Sequence, residues 1–254
     1  MWKISHDPTA RRRLAVGAVL LAIAAGLYFL APGSSVRPAT QGAAPKPPLR
    51  TVAIAKKELA LTFDISWGTV MPPKVIAILV RENVPATFFL SGPWSAQHPE
   101  LVALLRRDRF QIESHGQAHV NYSGLSRAGV RENILKAQAI LEQVAGTKTD
   151  MVRPPNGDYD RRTLEVAESM GYTVVIWGTD SRDWMNPGVG AITQRVLKNA
   201  HPGDIVLLHA SDTCKQTDIA LPAIISGLRE QGYKLVTLDQ LLKDAKAPKT
   251  PAQS

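Results

Sequence analysis

Leu59-Ala-Leu-Thr-Phe-Asp64 is an apolar run closed by a carboxylate, and its reading decides the fold. A run this short and this rich in apolar residues fits a buried strand, with the aspartate at its carboxyl end. The pattern recurs along the chain. Gln111–Ser114 leads to His115, Met151–Arg153 ends on Arg153, Thr173–Trp177 precedes Asp180 and Asp183, and Asp204–Leu208 leads to His209. Ala86–Leu90 and Leu235–Leu238 read as further strands. Helical spacing is expected at 73–82, 96–107, 126–144, 161–170, 191–199 and 218–231; Val130, Ile134, Ala137, Ile140, Leu141 and Val144 keep one apolar face. Strand–helix alternation predicts a parallel sheet covered by helices. Ahead of it, Thr51–Ala55 and Glu58–Phe63 flank Lys56-Lys57 and predict an entering hairpin. Polar residues that each close a strand would gather on one rim, which is where α/β barrels build their sites.

The net charge of +8 would suit a nucleic-acid or membrane-surface partner, but its distribution does not. Residues 1–50 hold seven Lys/Arg and one Asp, and 243–254 hold three Lys and one Asp, leaving 20 basic and 20 acidic residues in 51–242. A neutral folded part excludes nucleic acid as the expected partner. Segment 1–13 carries Lys3 and Arg11-Arg12-Arg13 ahead of an uncharged run, Leu14–Ala31. As a helix, that run would measure roughly 27 Å, about the thickness of a hydrocarbon core. We read 14–31 as one transmembrane signal-anchor with its N-terminus cytoplasmic and the rest of the chain extracytoplasmic. A cleaved secretory signal is the alternative. Residues 32–50 are a proline-rich linker, 51–244 the folded domain, and 245–254 a disordered tail. The one cysteine, Cys214, excludes an internal disulfide and reads as a small packed residue.

The rim residues suggest a chemistry. His115 and His119 stand four apart, so one helical turn would put both rings on one face, and neutral imidazoles suit a divalent metal such as zinc. Asp64 is either a turn carboxylate or a general base for a hydrolytic water. Arg153 could pair with it and keep it ionised, its backbone stiffened by Pro154-Pro155. His209 could protonate a leaving amine, given a carboxylate on its other ring nitrogen. Asp183 is the first choice for that carboxylate and Asp180 the second; an Asp-rich helix cap is the plainer reading of the segment.

Taken in order, Thr62-Phe-Asp64, Ser114-His-Gly-Gln-Ala-His119, Arg153-Pro-Pro155, Asp180-Ser-Arg-Asp183-Trp184 and Leu207-Leu-His209 resemble the polysaccharide deacetylases of the NodB-homology, carbohydrate esterase family 4 type, over residues 58–242. Phe63-Asp-Ile-Ser-Trp-Gly68 and Phe88-Phe-Leu-Ser-Gly-Pro-Trp94 are most similar to a sporulation-associated, membrane-anchored branch from Gram-positive spore formers. The resemblance implies a distorted (β/α) barrel of about seven parallel strands. It also implies metal-dependent removal of acetyl groups from an N-acetylated glycan polymer, peptidoglycan or chitin-like. It makes Asp64 the base, Arg153 its orienter, His209 the acid and Asp183 the support of that acid. His115 and His119 become metal ligands, Leu207 lines the acetyl pocket, the Asn156 backbone N–H holds the oxyanion, and Trp184 joins the substrate contacts.

Two positions depart from the family pattern. Ile65 stands where a second aspartate supplies the third metal ligand, leaving Asp64 or Ser66 to fill that place. Asn156 stands where an aromatic is common, which alters the sugar subsite. A glycan-binding module without hydrolysis is therefore the second reading, and an amidohydrolase acting on another N-acyl substrate the third.

Overall fold

The computed structural model describes residues 44–246. Segment 1–13, the Leu14–Ala31 run, most of the expected linker and most of the expected tail lie outside those residues. Among the described residues no helix is long and apolar enough to cross a membrane.

The strands are β1 (Glu58–Ile65), β2 (Thr87–Leu90), β3 (Gln111–Ser114), β4 (Met151–Val152), β5 (Thr173–Val174), β6 (Thr179–Asp180), β7 (Ile205–His209) and β8 (Lys234–Leu235). Seven lie in the order β5-β4-β3-β2-β1-β7-β6, all pairings parallel, and β8 pairs with the start of β1. The curved sheet is a partial barrel whose ends are β5 and β6. Residues 49–52 reach across that gap, Leu49 bridging to Val175 and Thr51 to Asp204. Leu49 thus joins the fold from within the stretch expected to be linker. The entering hairpin does not form. Both edges of β1 are occupied by parallel neighbours, so Thr51–Ala55 has no free edge there and Val52 donates instead to the Gly203 carbonyl.

Eight α-helices accompany the strands among the described residues: α1 (Met71–Arg81), α2 (Gly92–Gln97), α3 (Pro99–Arg107), α4 (Arg127–Ala145), α5 (Arg161–Ser169), α6 (Val189–Asn199), α7 (Thr217–Glu230) and α8 (Leu238–Lys246). Local chemistry sets their ends. The Ser126 hydroxyl caps α4 by accepting from the Gly129 N–H, and Gly146 closes it in a left-handed conformation at φ 60°. The helix expected over 96–107 is broken at His98, because Pro99 disfavours helical backbone in the residue before it. The strand expected over 235–238 stops at Leu235, and α8 begins where that strand was expected to end.

Alternation along β1 separates two cores. Leu59, Leu61, Phe63 and Ile65 face the helical layer. Ala60 faces an inner core with Phe89, Met151, Val175 and Ile205, floored by Leu238 and Leu241 of α8. The first turn of α8 is held there by Thr87 Oγ1 and Gln111 Oε1, which accept from the Leu238 and Asp239 N–H groups. Thr62 and Asp64 share the face of Ala60, so the floor is apolar and the opposite rim is polar.

Candidate active site

Parallel register sets Asp64 of β1 directly beside His209 of β7. Arg153, fully buried just after β4, reaches across to donate to Asp64 Oδ1 at 2.7 Å, Thr62 Oγ1 at 2.9 Å and the Ile176 carbonyl at 3.0 Å. Its guanidinium carbon lies 4.0 Å from the centroid of the Phe89 ring. Burial pushes the Asp64 carboxyl up, but the charges of Arg153, His115 and His209 and the hydrogen bond from Arg153 bring it below its ordinary value. Asp64 is thus a buried, ionised carboxylate, with Oδ1 taken and Oδ2 turned toward His115.

The other side of the cleft is built around Asp183. Oδ1 sits 2.7 Å from His209 Nδ1, while Oδ2 accepts from the His209 backbone N–H at 2.8 Å and from Thr217 Oγ1 at 2.7 Å. Burial lowers the His209 imidazole, and the charge and hydrogen bond of Asp183, aided by Asp64, outweigh that and raise it. The Asp183 contact leaves His209 Nε2 as the nitrogen available to the cleft. Asp180, the second choice for this role, instead accepts from the Arg182 N–H with Oδ1. Cys214 brings its sulfur to within 4.8 Å of ligand atoms of Asp183 and His209. That trio is a poor metal site. The carboxylate already has three partners, and burial pushes the thiol up to about 12, so it stays protonated.

The histidine segment is a loop, which corrects the expected helical turn. Gly116 at φ 77° interrupts the backbone, and a Cβ there would collide with the Tyr122 hydroxyl and Asn133 Oδ1. Asn133, on α4, secures the loop: Oδ1 accepts from the Gln117 N–H at 2.6 Å and the Tyr122 hydroxyl at 2.7 Å. The rings still converge, with His115 and His119 centroids 5.4 Å apart. His115 Nδ1 lies 2.8 Å from the Arg153 carbonyl, which can only accept, so Nδ1 carries the hydrogen and Nε2 the lone pair.

That lone pair lies 3.7 Å from Asp64 Oδ2. Burial, the leading influence, holds His115 down to about 4, so at neutral pH two acceptors face each other with no proton between them. His115 Nε2 and Asp64 Oδ2 are two donors suited to a divalent cation and the His119 ring stands beside them, but the ligand atoms of the three do not all lie within 4.8 Å of one another. Burial also lowers His119. Ile65 contributes nothing here, since it is fully buried in the helix-facing core. The Ser66 hydroxyl is buried without a hydrogen-bond partner.

Asp64, His115, His119 and His209 open on a cavity of about 420 Å³, which Leu207, Asn156 and Trp184 also line. Asn156 holds a left-handed backbone at φ 58°, and Trp184 is 52% exposed. Thr217, Trp67, Trp177 and the wall position of Cys214 are not among the site residues expected from the sequence. Only Trp67 had a local signal, being a tryptophan three residues after the base.

The polysaccharide deacetylase family profile matches residues 52–175. A peptidoglycan-N-acetylglucosamine deacetylase of Bacillus cereus is 35% identical over 191 residues, covering 74% of this chain and 89% of that protein. The uncharacterized protein YlxY of Bacillus subtilis is 28% identical over 191 residues, covering 75% of this chain and 59% of that protein, so this chain spans well under two thirds of its length. Among solved structures, a CE4 family pseudoenzyme from Bacillus anthracis superposes with a TM-score of 0.74 at 29% identity, covering 78% of this chain and 69% of that one. A mutant of that pseudoenzyme with restored enzymatic activity gives a TM-score of 0.74 at 30% identity, covering 78% and 72%.

Proposed function

We propose that this chain, which belongs to the polysaccharide deacetylase family, removes N-acetyl groups from amino sugars of a cell-wall glycan, peptidoglycan or chitin-like. One observation carries the reading. Asp64 and His209 stand abreast on adjacent strands, each held by a buried partner of opposite charge, with the carboxyl pushed down and the imidazole pushed up. That is a general base and a general acid poised for one reaction. The names of the relatives supply the substrate class.

When bound at His115 and His119, a divalent cation such as zinc supplies Lewis acidity toward the amide. Asp64, fixed through Oδ1 by Arg153, takes a proton from the attacking water with Oδ2. Leu207 walls the acetyl methyl, and the Asn156 backbone N–H meets the oxyanion. His209 Nε2 delivers its proton to the sugar nitrogen as the C–N bond breaks. Water is consumed, and acetate and a free amine leave. Acetate release from N-acetylated glycan tests this: it should require a divalent metal and stop on chelation. Metal-independent release, or none at saturating zinc, would overturn it.

A second reading, glycan binding without hydrolysis, is favoured by Ile65 and by the likeness to a pseudoenzyme. Its mark is saturable glycan binding with no acetate.

The place of action belongs to the same proposal. Residues 14–31 would anchor the chain, with the stretch from 32 to 48 as a linker presenting the domain, which begins at Leu49, to glycan outside the membrane. The full chain should sediment with membranes, and a chain starting at residue 46 should not; equal behaviour would sink the anchor. A role in spore formation belongs to the same proposal and rests on the resemblance of Phe63–Gly68 and Phe88–Trp94 alone.

A further inference from the structure

Four tryptophans lie in the described residues, and all four bear on the cleft. Trp67, Trp177 and Trp184 line the cavity. Trp94 is buried, and its Nε1–H donates to the Gly68 carbonyl at 2.8 Å, bracing the loop that carries Trp67. Of the large hydrophobic side chains exposed on the described surface, the two tryptophans are Trp67, 50% exposed, and Trp184, 52% exposed. An indole left half in water at the mouth of a cavity marks a binding surface better than a packing accident.

The Trp67 loop is rigid by construction. Asp212, in the segment after β7, accepts from three successive backbone N–H groups: Thr69 at 3.1 Å, Val70 at 3.0 Å and Met71 at 2.7 Å. This caps the start of α1 from across the cleft and ties the two loops together. Gly68, at φ 87°, allows the approach, since a Cβ there would collide with the Asp212 carboxylate. The ring of Trp67 leans on His119, with centroids 4.5 Å apart and planes at 56°. One part of the indole is therefore committed to the histidine loop, and the remainder is presented to solvent in a fixed pose.

We infer that Trp67 is a specificity-determining platform that stacks against the hexosamine unit adjoining the one whose amide is cleaved. This rests on the glycan reading above. A pyranose with equatorial substituents offers C–H bonds on both faces, and those weakly positive hydrogens match the negative face of an indole. With Trp184 also exposed on this cavity, the cleft selects a chain of sugars rather than a single residue. Because the loop is already held by Asp212 and Trp94, little ordering cost opposes binding.

The test uses the full chain loaded with zinc. It compares binding of an N-acetylglucosamine tetramer and monomer by wild type, Trp67→Ala and Trp67→Phe. Trp67→Ala should bind the tetramer about tenfold more weakly, and Trp67→Phe should stay within about threefold of wild type. Affinity for the monomer should be the same in all three proteins. Zinc affinity and melting temperature, followed in parallel, should hold in Trp67→Ala. Unchanged tetramer affinity in Trp67→Ala overturns the inference, and so does an equal loss for tetramer and monomer. A parallel loss of zinc affinity would also overturn it, since Trp67 would then act through His119. Acetate release separates the two proposals: a wild type that binds the tetramer but releases no acetate loses the hydrolytic reading and keeps the platform.

Discussion

The two sides of the cleft differ in how completely they are built. On the acid side, both oxygens of Asp183 are satisfied by three donors, and His209 is left with one nitrogen and a raised affinity for its proton. On the other side, Arg153 satisfies only one oxygen of Asp64, while Oδ2 and the His115 lone pair face each other unscreened. The proton machinery needs nothing from outside the chain. The proposed cation site would need a metal from outside, and Ile65 offers it no carboxylate. The lesson concerns which losses a fold absorbs easily. Position 65, on the helix-facing side of β1, can hold an apolar residue, as it does with Ile65, because its neighbours there are already apolar. Positions 64 and 183 cannot, since the aspartate at each neutralises a buried cation or imidazole.

The largest effects are expected from removing one proton carrier at a time. Asp64→Asn and His209→Ala should each cut acetate release by about 10²–10⁴-fold. A loss in only one of them would mean the two sides do not serve one reaction. Next in size is Arg153→Ala, which strands Asp64 as a buried lone charge. Breaking such a pair costs about 3–5 kcal/mol, so the melting temperature should fall by roughly 10 °C or more. A melt within a degree or two of wild type would refute the buried pair.

Ile65→Asp sharpens the contrast from the other direction. It buries a carboxylate among Leu and Val side chains, so the metal-free protein should melt lower than wild type, and zinc should draw that carboxylate out of the helix-facing core to the rim. Zinc should bind roughly 10–100-fold tighter and recover that loss. A variant that neither melts lower nor gains zinc affinity would show that position 65 is not part of the cation site.

The pH profile probes the acid side alone. His209 must be protonated to act, and its folded pKa lies above the ordinary 6.5, so the rate should hold through that value and fall only at higher pH. Asp183→Asn removes the charge that raises it, so the falling limb should move toward lower pH. An unmoved limb would assign the titration to another group. The smallest effect is expected of Cys214→Ser. Its thiol is protonated and bonds neither carboxylate nor imidazole, so acetate release should change by no more than about twofold.

Much of this was legible in the chain because the signals are local. Apolar runs ending in Asp64 or His209 read as buried strands meeting a rim, and α4 announced itself through its apolar face and the Ser126 cap. The sites of failure were those where a neighbour in space overrules the segment. Thr51–Ala55 looked like a strand, but β1 had no edge to spare. His115–His119 had helical spacing, yet Gly116, with Asn133 and Tyr122 against it, makes a loop. β6 has two residues, too few for any periodicity, and α8 was obscured by its closeness to a polar tail. In the site, the motif residues were all visible. Thr217, Asp212 and Trp94 were not, because each acts on a residue at least 26 positions away.

The measurement that tests the account most directly is acetate release from N-acetylated peptidoglycan by the full-length wild type at saturating zinc, run beside His209→Ala. Wild type should release acetate steadily and the variant almost none. Equal traces from the two proteins, whether both active or both silent, would contradict it.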